Sequence, residues 1–116
     1  MSKEKYNETD WVTDMNAVSA DIYQNAVNKG FWDAERNDGE AIALIHSELS
    51  EALEALRHGN PPDDKVPEFT GVEAELADVV IRVCDLAAGR NWRVFEAMAA
   101  KIAYNTKRER LHGKKF

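Results

Sequence analysis

The sequence has little cysteine and no long apolar run, and each shortage excludes a class of protein. Its single cysteine, Cys84, cannot form an internal disulfide, so a disulfide-stabilised secreted fold is excluded and a reducing, cytoplasmic location is expected. No apolar run is long enough to cross a membrane, and residues 1–10 lack the apolar segment of a secretory signal. We therefore expect neither a membrane partner nor a signal peptide.

Basic residues are also fewer than acidic residues. The chain has 15 Lys and Arg residues against 21 Asp and Glu residues, which gives a formal net charge of −6. A general nucleic-acid binder needs a basic surface, so stable binding to nucleic acid is not expected. An acidic protein can nevertheless bind an anionic ligand if a divalent metal ion supplies the positive charge.

No segment shows strand-like alternation, an internal repeat or low complexity, and the patterns that remain are helical. The 116 residues suffice for one domain. We predict a flexible segment at residues 1–10 and a single all-α domain, a four-helix bundle-like fold, at residues 11–116. Gly30 and Gly59 are expected helix stops, and Asn37 and Asn91 expected N-caps. The predicted helices cover about residues 11–29, 40–58, 72–88 and 92–110.

The third predicted helix is the element around which the fold is expected to be organised. Its apolar side chains cover about 220° of the circumference, far more than on an ordinary surface helix. It should therefore be buried on most sides, and we expect a homodimer or a dimer of dimers with this helix at the interface. For Arg82 and Asp85 an ion pair, within the helix or across that interface, is expected. The remaining narrow ridge is ionic and consists of Glu75, Asp78, Arg82 and Asp85.

Two acidic pairs with the same spacing lie on neighbouring predicted helices, Glu48 with Glu51 and Glu75 with Asp78. An i, i+3 spacing places two carboxylates on one ridge, so two adjacent helices would present four carboxylates to one point. All-oxygen ligands favour Mg²⁺, or alternatively Mn²⁺, over Zn²⁺. Glu48 lies at the edge of the apolar face through which the second helix is expected to pack. That face consists of Ile42, Ile45, Leu49, Ala52, Leu53 and Leu56.

The fourth predicted helix carries the opposite charge. Lys101, Asn105, Arg108 and His112 lie within about 60° of one another on a helical net. Lys and Arg on one ridge suit phosphate oxygens. Because one helix pair offers metal ligands and another helix offers cations, the expected ligand is a metal-chelated polyphosphate.

Four segments together resemble a known family. They are the stretch 47–54 with Glu48-x-x-Glu51, the stretch 75–82 with Glu75-x-x-Asp78, the pattern Lys101-x-x-x-Asn105-x-x-Arg108 before His112-Gly113-Lys114, and Asn28-Lys-Gly-Phe-Trp32. The family is that of the all-α NTP pyrophosphohydrolases of the MazG-like group, and the resemblance covers about residues 15–115.

The resemblance implies a Mg²⁺-dependent hydrolase that cleaves a nucleoside triphosphate between the α and β phosphates to the monophosphate and pyrophosphate. It also implies that a neighbouring chain can complete the site. Trp32 would either stack on a base or cover a helix exit. By the resemblance, the metal ligands are Glu48, Glu51, Glu75 and Asp78, the catalytic residues are Glu48, Glu51 and Lys101, and the substrate-binding residues are Lys101, Asn105, Arg108, Trp32, His112 and Lys114.

Two other functions compete with this interpretation. A ferritin-like di-iron protein needs Glu-x-x-His on two helices, whereas this chain has that spacing once, at Glu109-x-x-His112. A non-catalytic helical module, either structural or nucleotide-sensing, would retain the acids as a binding site.

Overall fold

A computed structural model describes residues 8–115, which form four α-helices and a short 3-10 helix. The all-α prediction is confirmed, because the described residues contain no strand and only an isolated bridge between Pro62 and Thr70. None of the helices in this range has the length and apolarity needed to cross a membrane. The helices are α1 (Glu8–Asn28), α2 (Asp38–Arg57), α3 (Gly71–Arg90), α4 (Val94–Asn105) and the 3-10 helix Arg110–Gly113.

Most helix ends follow local signals. The Asn37 side chain accepts a hydrogen bond from the backbone N–H of Glu40 and caps α2, as predicted. Thr70 and Glu73 form a capping box at the start of α3. Such caps contribute about 1 kcal/mol each to helix stability. Gly30 has a φ of 90°, which favours glycine and ends the turn after α1.

Four helix boundaries differ from the prediction: the start of α1, the end of α3 and both ends of α4. Residues 8–10, expected to be flexible, belong to α1, while residues 1–7 lie outside the described part of the chain. The expected break at Gly89 is wrong, because α3 continues through Arg90. Asn91 is the C-cap of α3 and not the N-cap of the next helix. Its φ of 57° is a left-handed conformation that asparagine tolerates. The helix α4 ends at Asn105, earlier than predicted.

The helix α3 is central, as expected, since it packs against both α1 and α2, whereas α4 packs against α1. The main core cluster joins Val12 of α1, Cys84 of α3 and Phe95 of α4. Cys84 is completely buried. Burial on α3 is concentrated in its second half, at residues 84–87, while Leu76 and Val80 in its first half are about half exposed. The expectation that α3 is buried on most sides therefore holds only for its second half in the single chain.

The predicted packing face of α2 is only partly right for the single chain: Ala52 is buried and Ile45 half-buried, but the other four residues are exposed. Its buried residues are Ala41, Glu48 and Ala52. The small side chains of Ala41 and Ala52 allow a close approach to α3, and the larger aliphatic side chains on the neighbouring face remain outside. A methyl group added at Gly71 would lie 3.0 Å from the Cβ atom of Ala55, which shows how closely the two helices approach. Ile42, Leu49, Leu53 and Leu56 are 45%, 45%, 53% and 54% exposed.

Large aliphatic side chains of both α2 and α3 therefore lack full cover within the single chain. Besides Leu49, Leu53 and Leu56 of α2, Leu76 and Val80 of α3 are 46% and 50% exposed.

The connection between α1 and α2 is held in place by Trp32. Its indole Nε1–H donates a hydrogen bond to Asp85 of α3 at 2.9 Å, and its ring lies against the backbone of Gly89. A Cβ atom at Gly89 would lie 2.4 Å from the Trp32 ring. Glycine at position 89 thus makes room for the indole, which explains why this glycine lies within a helix instead of ending it.

We predict that Gly89→Ala destabilises the protein. A methyl group there must displace the indole, and overpacking of this kind costs about 1–3 kcal/mol. Thermal unfolding followed by circular dichroism measures the effect. Gly39→Ala in the first turn of α2 is the control, because its Cβ would meet only the Asn37 side chain, at 3.2 Å. A Gly89→Ala variant as stable as the unchanged protein would contradict this packing.

Candidate functional site

The close packing of α2 and α3 brings three glutamates together. Glu48 and Glu51 project from α2 and Glu75 from α3. One carboxylate oxygen from each lies within 4.8 Å of the others, a separation that allows all three to contact one cation. Glu48 is buried, Glu75 half-buried and Glu51 exposed. The structure thus brings together three of the four predicted metal ligands.

These glutamates line a cavity of about 610 Å³ between the two helices. Asp78, the fourth predicted ligand, lines the same cavity, one turn beyond Glu75, but does not belong to the group of three within 4.8 Å. The irregular segment 58–70 contributes Asp63, Asp64 and Lys65 to the wall.

The loop that carries Lys65 is well ordered. Both its ends are fixed: the N–H of Gly71 donates to the carbonyl of Pro61 at 2.7 Å, and that of Val72 to the side chain of Asn60 at 2.9 Å. Inside the loop, Asp63 Oδ2 accepts hydrogen bonds from the backbone N–H groups of Lys65 and Val66. These bonds stabilise the ionised form and lower the pKa of Asp63.

Two carboxyl groups of the site have raised pKa values. Desolvation raises the pKa of Glu75 above its ordinary value, and the charges of Glu51, Glu48 and Asp78 raise it further. Desolvation, followed by the charge of Glu48, raises the pKa of Asp78, which Arg82 partly opposes. Like charges at short range disfavour the ionised state. The site therefore favours a bound proton or a cation.

The donor set fits a hard divalent cation. All the donors are carboxylate oxygens, and oxygen-only sites suit Mg²⁺ and Mn²⁺. Glu48, Glu51 and Glu75 would hold the ion between the helices, with Asp78 beside them. When bound, such an ion would offset anionic charge and lower the pKa of an attached water.

A second cavity, of about 370 Å³, adjoins the first and shares Glu48, Lys65 and Asp78 with it. Its wall includes the cationic side chains of Arg36 and Arg82. Arg82 Nε donates to Glu48 Oε2 at 2.7 Å, so Arg82 does not pair with Asp85 as expected. Its partner lies on α2 because the helix register places Glu48 opposite it.

Asp85 takes part in a different network. It is 8% exposed and accepts hydrogen bonds from Trp32 and from Arg36, both at 2.9 Å. The guanidinium of Arg36 lies 4.6 Å above the Trp32 ring centroid, and that of Arg90 lies 5.6 Å from it. In this chain Trp32 therefore covers the exit of α1, the second of the two roles expected for it. Phe31, its neighbour, is 67% exposed and lines the second cavity.

The predicted phosphate-binding residues lie elsewhere. Lys101 and Asn105 are exposed on α4, which packs against α1, and neither residue lines the two cavities that contain Glu48. Because α4 ends at Asn105, Arg108 is not on the same helical ridge; its guanidinium lies 5.5 Å from the Tyr104 ring centroid. Lys114 is exposed, and the side chain of His112 lies outside the described part of the structure. Glu109 precedes the 3-10 helix, so the spacing considered for a di-iron site is not on an α-helix.

No family, curated protein or solved structure in the comparisons matches this chain. The function is therefore inferred from the geometry of the site and from the sequence motifs.

The sequence alone does not predict that the loop residues Asp63, Asp64 and Lys65, or Arg36 before α2, line the site. Lys65 lies in a segment that the prolines mark as irregular, and nothing in its spacing shows that the loop returns to the acids. The run Asp63-Asp64-Lys65 is a polar signal in that loop. Arg82 was recognised on the acidic ridge of α3, but its contact with Glu48 depends on the register between two helices.

We predict that Mg²⁺ stabilises the protein at neutral pH and much less at acid pH, below the raised pKa values of Glu75 and Asp78. A raised folded-state pKa means that ionised Glu75 and Asp78 oppose folding at neutral pH, a cost relieved as the pH falls through the raised values. A cation relieves the same cost at neutral pH, where no proton competes. At a hundredfold excess over Kd, stabilisation should reach about 2.7 kcal/mol.

Thermal unfolding at matched ionic strength, with and without Mg²⁺, measures this effect. Glu75→Gln should lose most of the stabilisation by Mg²⁺. Glu54→Gln, which changes an exposed residue of α2, should retain it. An equal response to Mg²⁺ in both variants would contradict the placement of the cation.

Proposed function

We propose that this protein is a Mg²⁺-dependent nucleoside triphosphate pyrophosphohydrolase, which cleaves a (d)NTP between its α and β phosphates to the (d)NMP and pyrophosphate. The observation that carries the proposal is the meeting of Glu48, Glu51 and Glu75 oxygens within 4.8 Å, beside two adjoining cavities. The motif resemblance to the MazG-like group, and the cytoplasmic location suggested by the single cysteine, are consistent with it.

The proposed chemistry needs both the carboxylates and the cationic side chains that line the cavities. A triphosphate is strongly anionic, and the acidic cavity would repel it without a divalent cation. The lone pairs of Glu48, Glu51 and Glu75 would hold that cation, and one of the α2 glutamates would orient the attacking water and accept its proton. The water oxygen bonds to the α phosphorus, and the bond from that phosphorus to the bridging oxygen breaks. Lys and Arg side chains would stabilise the negative charge on the leaving pyrophosphate.

We further propose that the protein acts as a homodimer or a dimer of dimers. The aliphatic surface of α2 and α3, defined as Leu49, Leu53, Leu56, Leu76 and Val80, suits a second copy of the same chain. In such an assembly the acids of one chain would be accessible to the basic region of the other, which contains Lys101, Asn105, Arg108 and Lys114. These residues do not line the acidic cavities of their own chain.

The first test is release of pyrophosphate from a panel of canonical, deoxy and modified triphosphates with Mg²⁺. The unchanged protein should release it from at least one of them. Glu48→Gln should lower turnover about a hundredfold or more, since it removes a charged ligand that borders both cavities.

Glu54→Gln is the matched control, since Glu54 lies on the same helix and is exposed. Its turnover should equal that of the unchanged protein, and both variants should keep their helicity. Turnover near the normal value in Glu48→Gln would count against the assignment.

The second test concerns assembly. Sedimentation at micromolar concentration should give a mass at least twice the 13.1 kDa of one chain. Val80→Glu places a charge on the aliphatic surface, where Val80 is 50% exposed, and should shift the protein toward the monomer. Val18→Glu on α1 has a similar exposure of 46% and should leave the assembly intact. A monomeric unchanged protein would refute this part of the proposal.

A non-catalytic, nucleotide-sensing module is the alternative. It would bind nucleotide in a Mg²⁺-dependent way through the same acids and release no pyrophosphate from any triphosphate. The same panel separates the two functions.

A further inference from the structure

Arg82 occupies an unusual position within the acidic cluster. Its Nε donates a hydrogen bond of 2.7 Å to Glu48 Oε2, and the Glu48 side chain is only 11% exposed. Arg82 also lies one turn beyond Asp78 on α3, and its charge opposes part of the rise that desolvation and Glu48 cause in the pKa of Asp78. The guanidinium thus neutralises part of the charge of two predicted cation ligands.

A divalent cation and Arg82 would compete for the same carboxylate. A cation held by Glu48, Glu51 and Glu75 draws on the lone pairs of Glu48, one of whose oxygens already accepts from Arg82. If Glu48 served both, the guanidinium would lie within a few ångströms of a doubly charged ion. Like charges at that range repel one another, particularly beside a buried carboxylate. Cation binding therefore weakens the contact between Arg82 and Glu48.

The side chain of Arg82 has room to move toward the second cavity. Its side chain is 37% exposed and lines the second cavity. Arg36, in the same wall, is already bound to Asp85 at 2.9 Å. Lys65 lines both cavities, and no carboxylate of the described residues lies within 4 Å of its ammonium group. Phosphates attached to a cation at the cluster would extend into the junction of the two cavities. A guanidinium binds phosphate oxygens through two parallel hydrogen bonds.

We propose that Arg82 is a built-in counter-ion of Glu48 which a divalent cation displaces, and that the displaced guanidinium then binds the phosphates carried by that cation. This inference rests on the proposed function, because it assumes that the glutamates hold the cation. It adds an ordered coupling: the cation releases a phosphate-binding group from the site that it enters, so phosphate is gripped only after the cation has bound.

The coupling gives Arg82→Gln two effects of opposite sign. The affinity for Mn²⁺ alone should rise roughly fivefold, because a competing positive charge is gone. The affinity for inorganic tripolyphosphate at saturating Mn²⁺ should fall about tenfold, because a charged phosphate donor is gone. Free Mn²⁺ measured by electron paramagnetic resonance gives the first constant, and calorimetry gives the second. Tripolyphosphate has no base, so base preference does not affect the result.

Two further variants complete the test. Arg93→Gln removes an exposed arginine at the start of α4, outside both acidic cavities, and should change neither constant. Arg82→Lys keeps the charge without the planar fork; it should bind Mn²⁺ as the unchanged protein does and tripolyphosphate with intermediate affinity. Circular dichroism establishes that the variants are folded.

The outcomes distinguish this inference from the proposed function. If the unchanged protein binds Mn²⁺ and Arg82→Gln weakens both affinities, Arg82 only supports the fold of the site and the displacement is refuted. The displacement is also refuted if neither affinity changes in Arg82→Gln. If the unchanged protein releases pyrophosphate while either of these results holds, the proposed function stands without the coupling. An unchanged protein that does not bind Mn²⁺ overturns both.

Discussion

The close approach of α2 and α3 is the constraint on which the rest of the structure depends. Because alanine and glycine lie between the two helices, Glu48, Glu51 and Glu75 project into one narrow space. Desolvation, together with this repulsion between like charges, raises the pKa of Glu75. A packing arrangement that concentrates like charges in this way costs stability unless another ligand occupies the space, and Arg82 supplies part of that compensation within the chain.

Much of this arrangement could be predicted from the sequence. The helical periods, the cap at Asn37 and the spacing of the acidic pairs are local signals, and the structure follows them. The packing face of α2 could not be predicted in the same way. Periodicity assigns the largest apolar side chains to the core, but Leu49 and Leu53 are exposed and Ala52 is buried. A helix with two apolar faces, one against its own chain and one available to a second chain, gives a single hydrophobic pattern in the sequence.

Contacts between residues that are far apart in the sequence could not be predicted either. The hydrogen bond from Trp32 to Asp85 and the one from Arg82 to Glu48 join elements far apart in the sequence, and each depends on how one helix is rotated and shifted against its neighbour. The interior glycine at position 89 illustrates the difficulty. Alone it indicates a helix end, whereas in the fold it makes room for an indole ring.

The distribution of charge around the site links its chemistry to the exposed apolar surface. The larger cavity is lined by six carboxylates, from Glu48, Glu51, Asp63, Asp64, Glu75 and Asp78, and by one cation, Lys65. In the adjoining cavity the guanidiniums of Arg36 and Arg82 are already bound to carboxylates. The anionic substrate that we propose would need more positive charge than Lys65 supplies: from a divalent ion, from Arg82 once that ion displaces it, or from a second chain. Lys101 of α4 and the later cations Arg108 and Lys114 do not line these cavities in their own chain, while the aliphatic side chains of α2 and α3 lack cover within that chain. The proposed association of two copies would bury the aliphatic surface and would offer the basic residues of a second chain to the acids.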